Sequence, residues 1–264
     1  MNEYFDLLKK VYYFGENIKV RNFYVKELIN QRIVVSNKNN FYSLKNVRDF
    51  NVISRYLIGE LSWYFSGDIN VKGILKYSKF WDKIKNFDDT VNSNYGFLVF
   101  YKKNKYNITQ FNWALSQLLK DKNTRKSAIL YADSEYCFQE NLDFVCTQLQ
   151  QFFIRDNVLD SIVYIRSSDM IFGLTFDIPW WSIVQQYMLL LLNSKFNYNL
   201  CLGRLFINFG SVHLYERHFN MIEKMVNSNN IKQHFVKLNE IIPLGKSQYW
   251  YEKNINKYIE ILNV

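Results

Sequence analysis

This 264-residue sequence predicts a mixed α/β (α+β) fold, with one mixed sheet covered by helices and one long helix buried among them. Three observations point that way. Stretches with the 3.6-residue period of amphipathic helices are interspersed with short runs rich in β-branched and aromatic residues. The chain is 48% hydrophobic and 18% aromatic, enough to fill a substantial core. Only two prolines, Pro179 and Pro243, and no Gly/Ser-rich tract interrupt it, so no linker is expected and residues 1–264 are read as a single domain.

The elements follow in chain order. Val52 to Phe65 places Ile53, Tyr56, Leu57, Leu61 and Tyr64 on one helical face and ends at Gly67-Asp68, so Glu60 sits on a largely buried helix. Ile108 to Leu119 is a second amphipathic helix with Phe111, Ala114, Leu115 and Leu118 inward, followed by a polar loop, Asp121 to Lys126, topped by Arg125-Lys126. Ser127–Ala132, Gln148–Arg155, Val158–Arg166 and Arg204–Val212 read as strands, with Asp156-Asn157 as a hairpin turn. Trp180–Leu192 and His213–Val226 read as helices. No repeat is evident.

Charge and cysteine content bound the function. The formal net charge of +9 favours an anionic partner, whether nucleic acid, acidic lipid or a phosphorylated metabolite, and because no block of six or more Lys/Arg residues occurs, nucleic acid is not the expected one. Cys137, Cys146 and Cys201 form no CxxC pair, which suits a reducing compartment, and no metal-ligand set is visible. The acidic start, Met1 to Asp6, lacks the apolar core of a signal peptide, and the longest apolar run, Tyr187–Leu192, is too short to span a bilayer.

Five segments carry the chemistry: Gly59-Glu60-Leu61, Asn94-Tyr95-Gly96, Asp143-Phe144-Val145-Cys146-Thr147, Arg166 to Asp177 (RSSDMIFGLTFD), and Gly210 to Phe219 (GSVHLYERHF). In this order they resemble the thymidylate synthase family, and within it most closely the bacteriophage deoxycytidylate hydroxymethylases. The resemblance runs from about Asp49 to Phe219. It implies two sheets packed back to back in a homodimer, dCMP as substrate, 5,10-methylenetetrahydrofolate as co-substrate with no metal, and the cytoplasm of a phage-infected host as location.

The resemblance also assigns residues. Cys146 is the nucleophile that adds to C6 of the pyrimidine, although a lone cysteine is more often structural. Arg166 grips the phosphate and is expected to lower the thiol pKa. Arg125, Lys126, Arg166 and Ser167 form the phosphate site, the first two reaching across the dimer. Lys126 stands where a second Arg is usual. Arg21 is a further phosphate ligand, though its neighbours Asn22-Phe23-Tyr24 depart from the family pattern. His213 and Tyr215, two apart at a strand end, face one way toward the sugar 3′-hydroxyl.

Asp177 stands where the synthases usually carry Asn, and a carboxylate there matches cytosine, whose C4 amino group donates and whose N3 can be protonated; the competing reading is a helix N-cap ahead of Ile178-Pro179. Glu60 is the general acid/base, a costly residue on an apolar helix face unless it has work to do. Tyr95 joins it, and Trp81, Asp169, Gly173 and Phe176 line the folate site. Thr147, where synthases carry His, and Ile84, where they often carry a second Trp, favour hydroxymethylation over reductive methylation of dCMP, and the joint presence of Glu60, Cys146 and Asp177 argues against a non-catalytic nucleotide-binding descendant.

Overall fold

The computed structural model describes residues 3–36, 38–44, 49–228 and 231–263. The elements run α1 (Glu3–Phe14), β1 (Glu16–Val20), β2 (Phe23–Val35), β3 (Phe41–Leu44), α2 (Phe50–Ser66), α3 (Lys72–Leu75), a π-helical turn (Phe97–Tyr101), α4 (Gln110–Lys120), β4 (Ala128–Leu130), β5 (Thr147–Arg155), β6 (Val158–Asp169), α5 (Leu174–Phe196), β7 (Cys201–Tyr215), α6 (Phe219–Ser228), β8 (Ile231–Leu238), α7 (Gln248–Asn254) and β9 (Ile259–Asn263). Six strands form one mixed sheet in the order β1-β2-β7-β6-β5-β4, and three more form a second, β3-β8-β9. Only β6 and β7 are parallel neighbours in the larger sheet. The mixed α/β architecture expected from the sequence is present.

Helix α5 explains how the layers hold together. It packs against β6 and β7 on one side and β3 and β8 on the other. A helix caught between two sheets has no solvent face, so it is apolar all round rather than striped. Its few polar side chains serve the strands: Gln185 Nε2 donates to Leu159 O at 2.7 Å, and Gln186 donates to Val236 O at 2.9 Å while accepting from Leu238 N–H at 2.8 Å.

The start of α5 corrects the sequence reading. Pro179 led to an expected start at Trp180, because a proline lacks the N–H of an interior helical residue. The helix instead begins at Leu174, with Pro179 inside it. Burial of Leu174, Phe176 and Ile178 outweighs the one lost hydrogen bond. Asp177 therefore lies in the first turn of α5, four residues past the Gly173 cap, and is not an N-cap.

A second correction concerns His213. The sequence places it both at a strand end with Tyr215 and at the start of a helix; β7 runs on to Tyr215, which bears out the first reading and overturns the second, and the helix α6 begins at Phe219 after a short 3-10 turn. His213 is flanked by strands on both sides, paired with Asp169 of β6 and Glu27 of β2. The β2 partner lies in a region the sequence reading left unassigned.

Three strands bend together beside the site. In β6 and β7 the inward residues switch parity, from Ile165 to Ser168 and from Phe209 to Val212, and in β2 Asn30 takes a positive φ of 53°. Gly210 sits in this bend, where a Cβ would come within 2.7 Å of Arg166 O. Beyond the bend, Ser211, His213 and Tyr215 turn to a common face.

The other expected elements hold with small changes of boundary. Helix α2 ends on Gly67 in the left-handed conformation, φ 67°, its N–H bonded to Tyr64 O. The Asp156-Asn157 turn joins β5 to β6 with both residues at positive φ, 49° and 58°, the geometry that suits the twist of a tight hairpin.

Candidate active site

Cys146 lies just before β5, alongside Arg166 on β6, whose N–H donates to Cys146 O at 3.0 Å. The Arg166 guanidinium folds over this segment: Nε donates to Val145 O at 3.1 Å, Nη2 donates to Phe144 O, and the group covers the Phe144 ring. Its charge does favour the thiolate, as expected. Burial is the larger effect, however, and with Asp177 and Asp143 nearby the Cys146 thiol is pushed up to about 11. Arg166 thus lowers the thiol pKa as expected, but by less than burial raises it.

On the opposite wall, α2 presents Glu60, which is 5% exposed. Its Oε1 accepts from the Tyr56 hydroxyl at 2.7 Å, and the Tyr56 oxygen accepts from Trp81 Nε1 at 3.1 Å. Burial raises Glu60 to about 7, against the stabilising effect of Tyr56 and of Tyr64, one turn further on. Glu60 is therefore paired rather than isolated on its helix.

Asp177 comes from α5 to the same pocket and is only partly buried. Among the described residues nothing hydrogen-bonds its carboxyl group. Desolvation, followed by the charge of Glu60, raises it well above the ordinary carboxyl range. Tyr95 closes the wall: its hydroxyl accepts from the N–H of Thr147, next to the cysteine, at 3.3 Å, and its ring stacks on Tyr64. Trp181 Nε1 donates to Thr147 Oγ1 at 3.2 Å. The turn carrying Tyr95 sits hard against α2, because Gly96 lacks a Cβ that would fall 1.7 Å from Tyr64 O.

The remaining residues gather at the strand ends and the start of α5. His213 and Tyr215 meet edge to face with ring centroids 5.1 Å apart, and Arg21, in the β1–β2 turn at φ 56°, is close enough for its charge to act on Tyr215. Ser167 pairs with Ser211 across β6 and β7. Burial lowers the His213 pKa, and Glu27 opposes this. Asp169 is the β6 partner of His213, its charge also acts on Tyr215, and burial pushes its carboxyl up to about 6. Gly173 N–H donates to Asp169 O at 3.1 Å, and the Phe176 ring lies 4.6 Å from that of Tyr56.

Arg125 and Lys126 stand apart. Both are exposed, and Arg125 O accepts from Gln151 Nε2. Gln151 is five residues along β5 from Cys146, roughly 15 Å at a strand's rise per residue. The chain does not bring them to its own cysteine.

The sequence reading missed Tyr56 and Tyr64, although they sit four residues before and four after Glu60, the spacing that stacks side chains on one helical face. It also passed over Asp143, whose Oδ2 accepts from the N–H groups of Asn92 and Ser93 at 2.7 and 2.8 Å and from Ser93 Oγ at 2.9 Å. That clasp ties the segment before Cys146 to the segment before Tyr95.

Comparison with known proteins decides the family. The thymidylate synthase family model matches residues 2–252. The chain belongs to the thymidylate synthase family. Among relatives, deoxycytidylate 5-hydroxymethyltransferase of Enterobacteria phage T2 is 31% identical over 190 residues, covering 69% of this chain and 74% of that protein. The phage T4 protein of the same name is 31% identical over 176 residues, covering 64% and 70%. Thymidylate synthase 1 of Bacillus subtilis is 24% identical over 179 residues, covering 63% and 59%. The solved structure of a thermostable thymidylate synthase A from Bacillus subtilis shares the fold at a TM-score of 0.74 and 18% identity, over 99% of this chain and 94% of that one.

In this thymidylate synthase family enzyme the Cys146 thiol and the Glu60 carboxyl group each lie within charge-interaction range of Asp177, and Arg166 lies within the same range of Cys146. Among the described residues no helix is long and apolar enough to cross a membrane, and no group of three His, Cys, Asp or Glu residues is arranged to hold a metal ion.

Proposed function

We propose that the protein is a folate-dependent deoxycytidylate 5-hydroxymethyltransferase, converting dCMP, 5,10-methylenetetrahydrofolate and water to 5-hydroxymethyl-dCMP and tetrahydrofolate. The observation that carries this reading is Asp177: a carboxyl group with no hydrogen-bond partner among the described residues, raised well above the ordinary carboxyl range near Cys146 and Glu60. A buried polar group left unmatched is costly, and a ligand that pairs it recovers that cost. Cytosine does so by taking the Asp177 proton on N3 while its amino group donates to the resulting carboxylate.

The proton on N3 draws electrons from the ring, so C6 becomes the point of attack for Cys146 Sγ, which gives up its own proton as the S–C6 bond forms. C5 then carries the electron pair. The folate co-substrate supplies a one-carbon unit at the oxidation level of formaldehyde. The aromatic wall of Trp81, Tyr56 and Phe176, with Asp169 at its edge, suits a flat heteroaromatic ring bearing N–H donors. Glu60, at about 7, takes a proton from water as that water adds to the exocyclic carbon, a task for which a pKa near the working pH is best. The C5 proton and tetrahydrofolate leave before that addition, opening the exocyclic methylene that the water attacks; afterwards N3 returns its proton to Asp177, the C5–C6 double bond re-forms, and Cys146 Sγ departs from C6 and takes back a proton.

Phosphate is held by Arg166, Ser167 and Arg21, and His213 and Tyr215 meet the 3′-hydroxyl. Arg125 and Lys126 come from a second copy of the chain in a homodimer. The sheet face turned away from α5 supports this. It carries Leu149, Phe153, Ile162, Tyr164 and Phe206, none of them buried in the isolated chain, and Tyr164 is 43% exposed.

Mass spectrometry of products from methylenetetrahydrofolate with dCMP or dUMP, with dihydrofolate followed in parallel, tests the reading. 5-Hydroxymethyl-dCMP without dihydrofolate supports it. 5-Methyl-dCMP with dihydrofolate replaces it with a reductive methylase, and binding of dCMP without any product replaces it with a non-catalytic protein.

A further inference from the structure

Every hydrogen bond has a direction, and in one chain of three groups here the direction is forced. An indole N–H can only donate. Trp81 Nε1 lies 3.1 Å from the Tyr56 oxygen, so that oxygen accepts. The hydroxyl proton of Tyr56 then points at Glu60 Oε1, 2.7 Å away. All three side chains sit on rigid supports: Tyr56 and Glu60 are one turn apart on α2, and Trp81 is 6% exposed, with its ring 4.9 Å from that of Trp63 on the same helix.

We infer that Tyr56 is a positioning residue for Glu60, holding Oε1 as a permanent acceptor so that protons come and go only on Oε2, with the Trp81 N–H locking the Tyr56 hydroxyl in that sense. The two oxygens of a free carboxylate are equivalent and rotate into each other. Here they are not. A carboxyl group that must take a proton from one particular water gains from having a single basic oxygen with a set orientation. Trp81 was expected only to line the folate site, and this arrangement gives it a second task.

Tyr56 can play this part across the working range because burial and the nearby charge of Glu60 hold its hydroxyl well above the usual tyrosine range, so it stays a donor. The other titratable groups facing this pocket are Tyr64 on α2, Tyr95 beside the π-helical turn, Asp177 on α5 and Cys146 before β5. Of these, Tyr64 is the one that shares with Tyr56 the work of favouring ionised Glu60.

The value of this geometry in catalysis rests on the function proposed above, but the hydrogen-bond direction does not, and the two are tested separately. The full-length protein, labelled with 13C at the glutamate carboxyl carbon, is titrated by NMR, with the Glu60 signal identified by its loss in Glu60→Gln. The Glu60 midpoint is expected to rise by about one pH unit in Tyr56→Phe, since a charge-assisted hydrogen bond is lost. Trp81→Phe, which keeps the hydroxyl but frees its direction, raises it less. Incorporation of 3,5-difluorotyrosine at position 56 preserves shape and strengthens the donor, so the midpoint falls; this variant decides the matter if Tyr56→Phe does not fold.

An unchanged midpoint with difluorotyrosine and, where it folds, with Tyr56→Phe overturns the inference. In parallel, the limb of the kcat pH profile assigned to Glu60 is expected to move with the NMR midpoint while KM for the nucleotide holds. A moving midpoint with a stationary kcat profile upholds the positioning role and removes Glu60 from the proposed reaction.

Discussion

Glu60 on α2 and Asp177 on α5 are close enough that the charge of Glu60 adds to burial in raising Asp177 well above the ordinary carboxyl range. Two carboxyl groups crowded in this way resist ionising together, and Asp177, on which both effects act, is the one suited to donate a proton to a ligand. The base preference of the enzyme is therefore expected to lie in Asp177. In Asp177→Asn the ratio of kcat/KM for dCMP over dUMP should fall by at least about 100-fold, because an amide donates to O4 and accepts from N3–H of uracil. Steady-state kinetics with both nucleotides measures it, and an unchanged ratio removes Asp177 from base recognition.

Glu60 makes stability depend on pH. Its folded value of about 7 lies above the ordinary 4.5. For a group raised on folding, the stability contributed is present in full below the ordinary value and is lost as pH climbs through the folded one. The ligand-free protein should thus weaken between about pH 5 and 8, by roughly 2–3 kcal/mol from this group alone. Glu60→Gln, which still accepts from Tyr56, is expected to match wild type in thermal melting at pH 5 and to exceed it at pH 8. Equal melting temperatures at pH 8 would falsify the assignment.

Cys146 is expected to be sluggish despite its neighbour Arg166. With its thiol at about 11, only about one molecule in ten thousand holds a thiolate at pH 7. The two exposed cysteines, Cys137 and Cys201, serve as internal controls. Alkylation by iodoacetamide, read by peptide mass spectrometry, should reach Cys146 last at pH 7 and accelerate steadily toward pH 10. Arg166→Ala should slow it further, whereas faster alkylation in that variant contradicts the electrostatic balance described here.

The distance of Arg125 from its own Cys146 leads to a complementation experiment. Arg125→Ala and Cys146→Ser should each lose most activity alone. Mixed after mild dissociation, half the dimers are hybrids, each with one intact site, so about a quarter of wild-type activity is expected to return. No recovery, with hybrid formation verified by native mass spectrometry, would place Arg125 outside the partner's site.

Local signals in the sequence carried a good part of the fold. The apolar spacing from Ile53 to Tyr64 and the Gly67 stop marked α2, and Asp156-Asn157 marked a hairpin, because helix caps and tight turns depend on a few adjacent residues. Strand β2 went unread. It mixes Lys26, Glu27 and Arg32 with apolar residues and bends at Asn30, so no clean alternation survives, and its pairing with β7 joins residues nearly two hundred positions apart.

The sequence by itself determined which chemical groups are present and in what order: Glu60, Cys146, Arg166 and Asp177, each inside a motif whose neighbours point to pyrimidine chemistry. Tertiary structure alone decided what state those groups are in. It set burial above Arg166 in the balance at Cys146, left Asp177 next to Glu60 with no hydrogen-bond partner among the described residues, and aimed Trp81 through Tyr56 at Glu60 Oε1. Proton affinity and hydrogen-bond direction depend on solvent exclusion and on groups brought together from distant segments, and the order of residues along a chain does not contain either one.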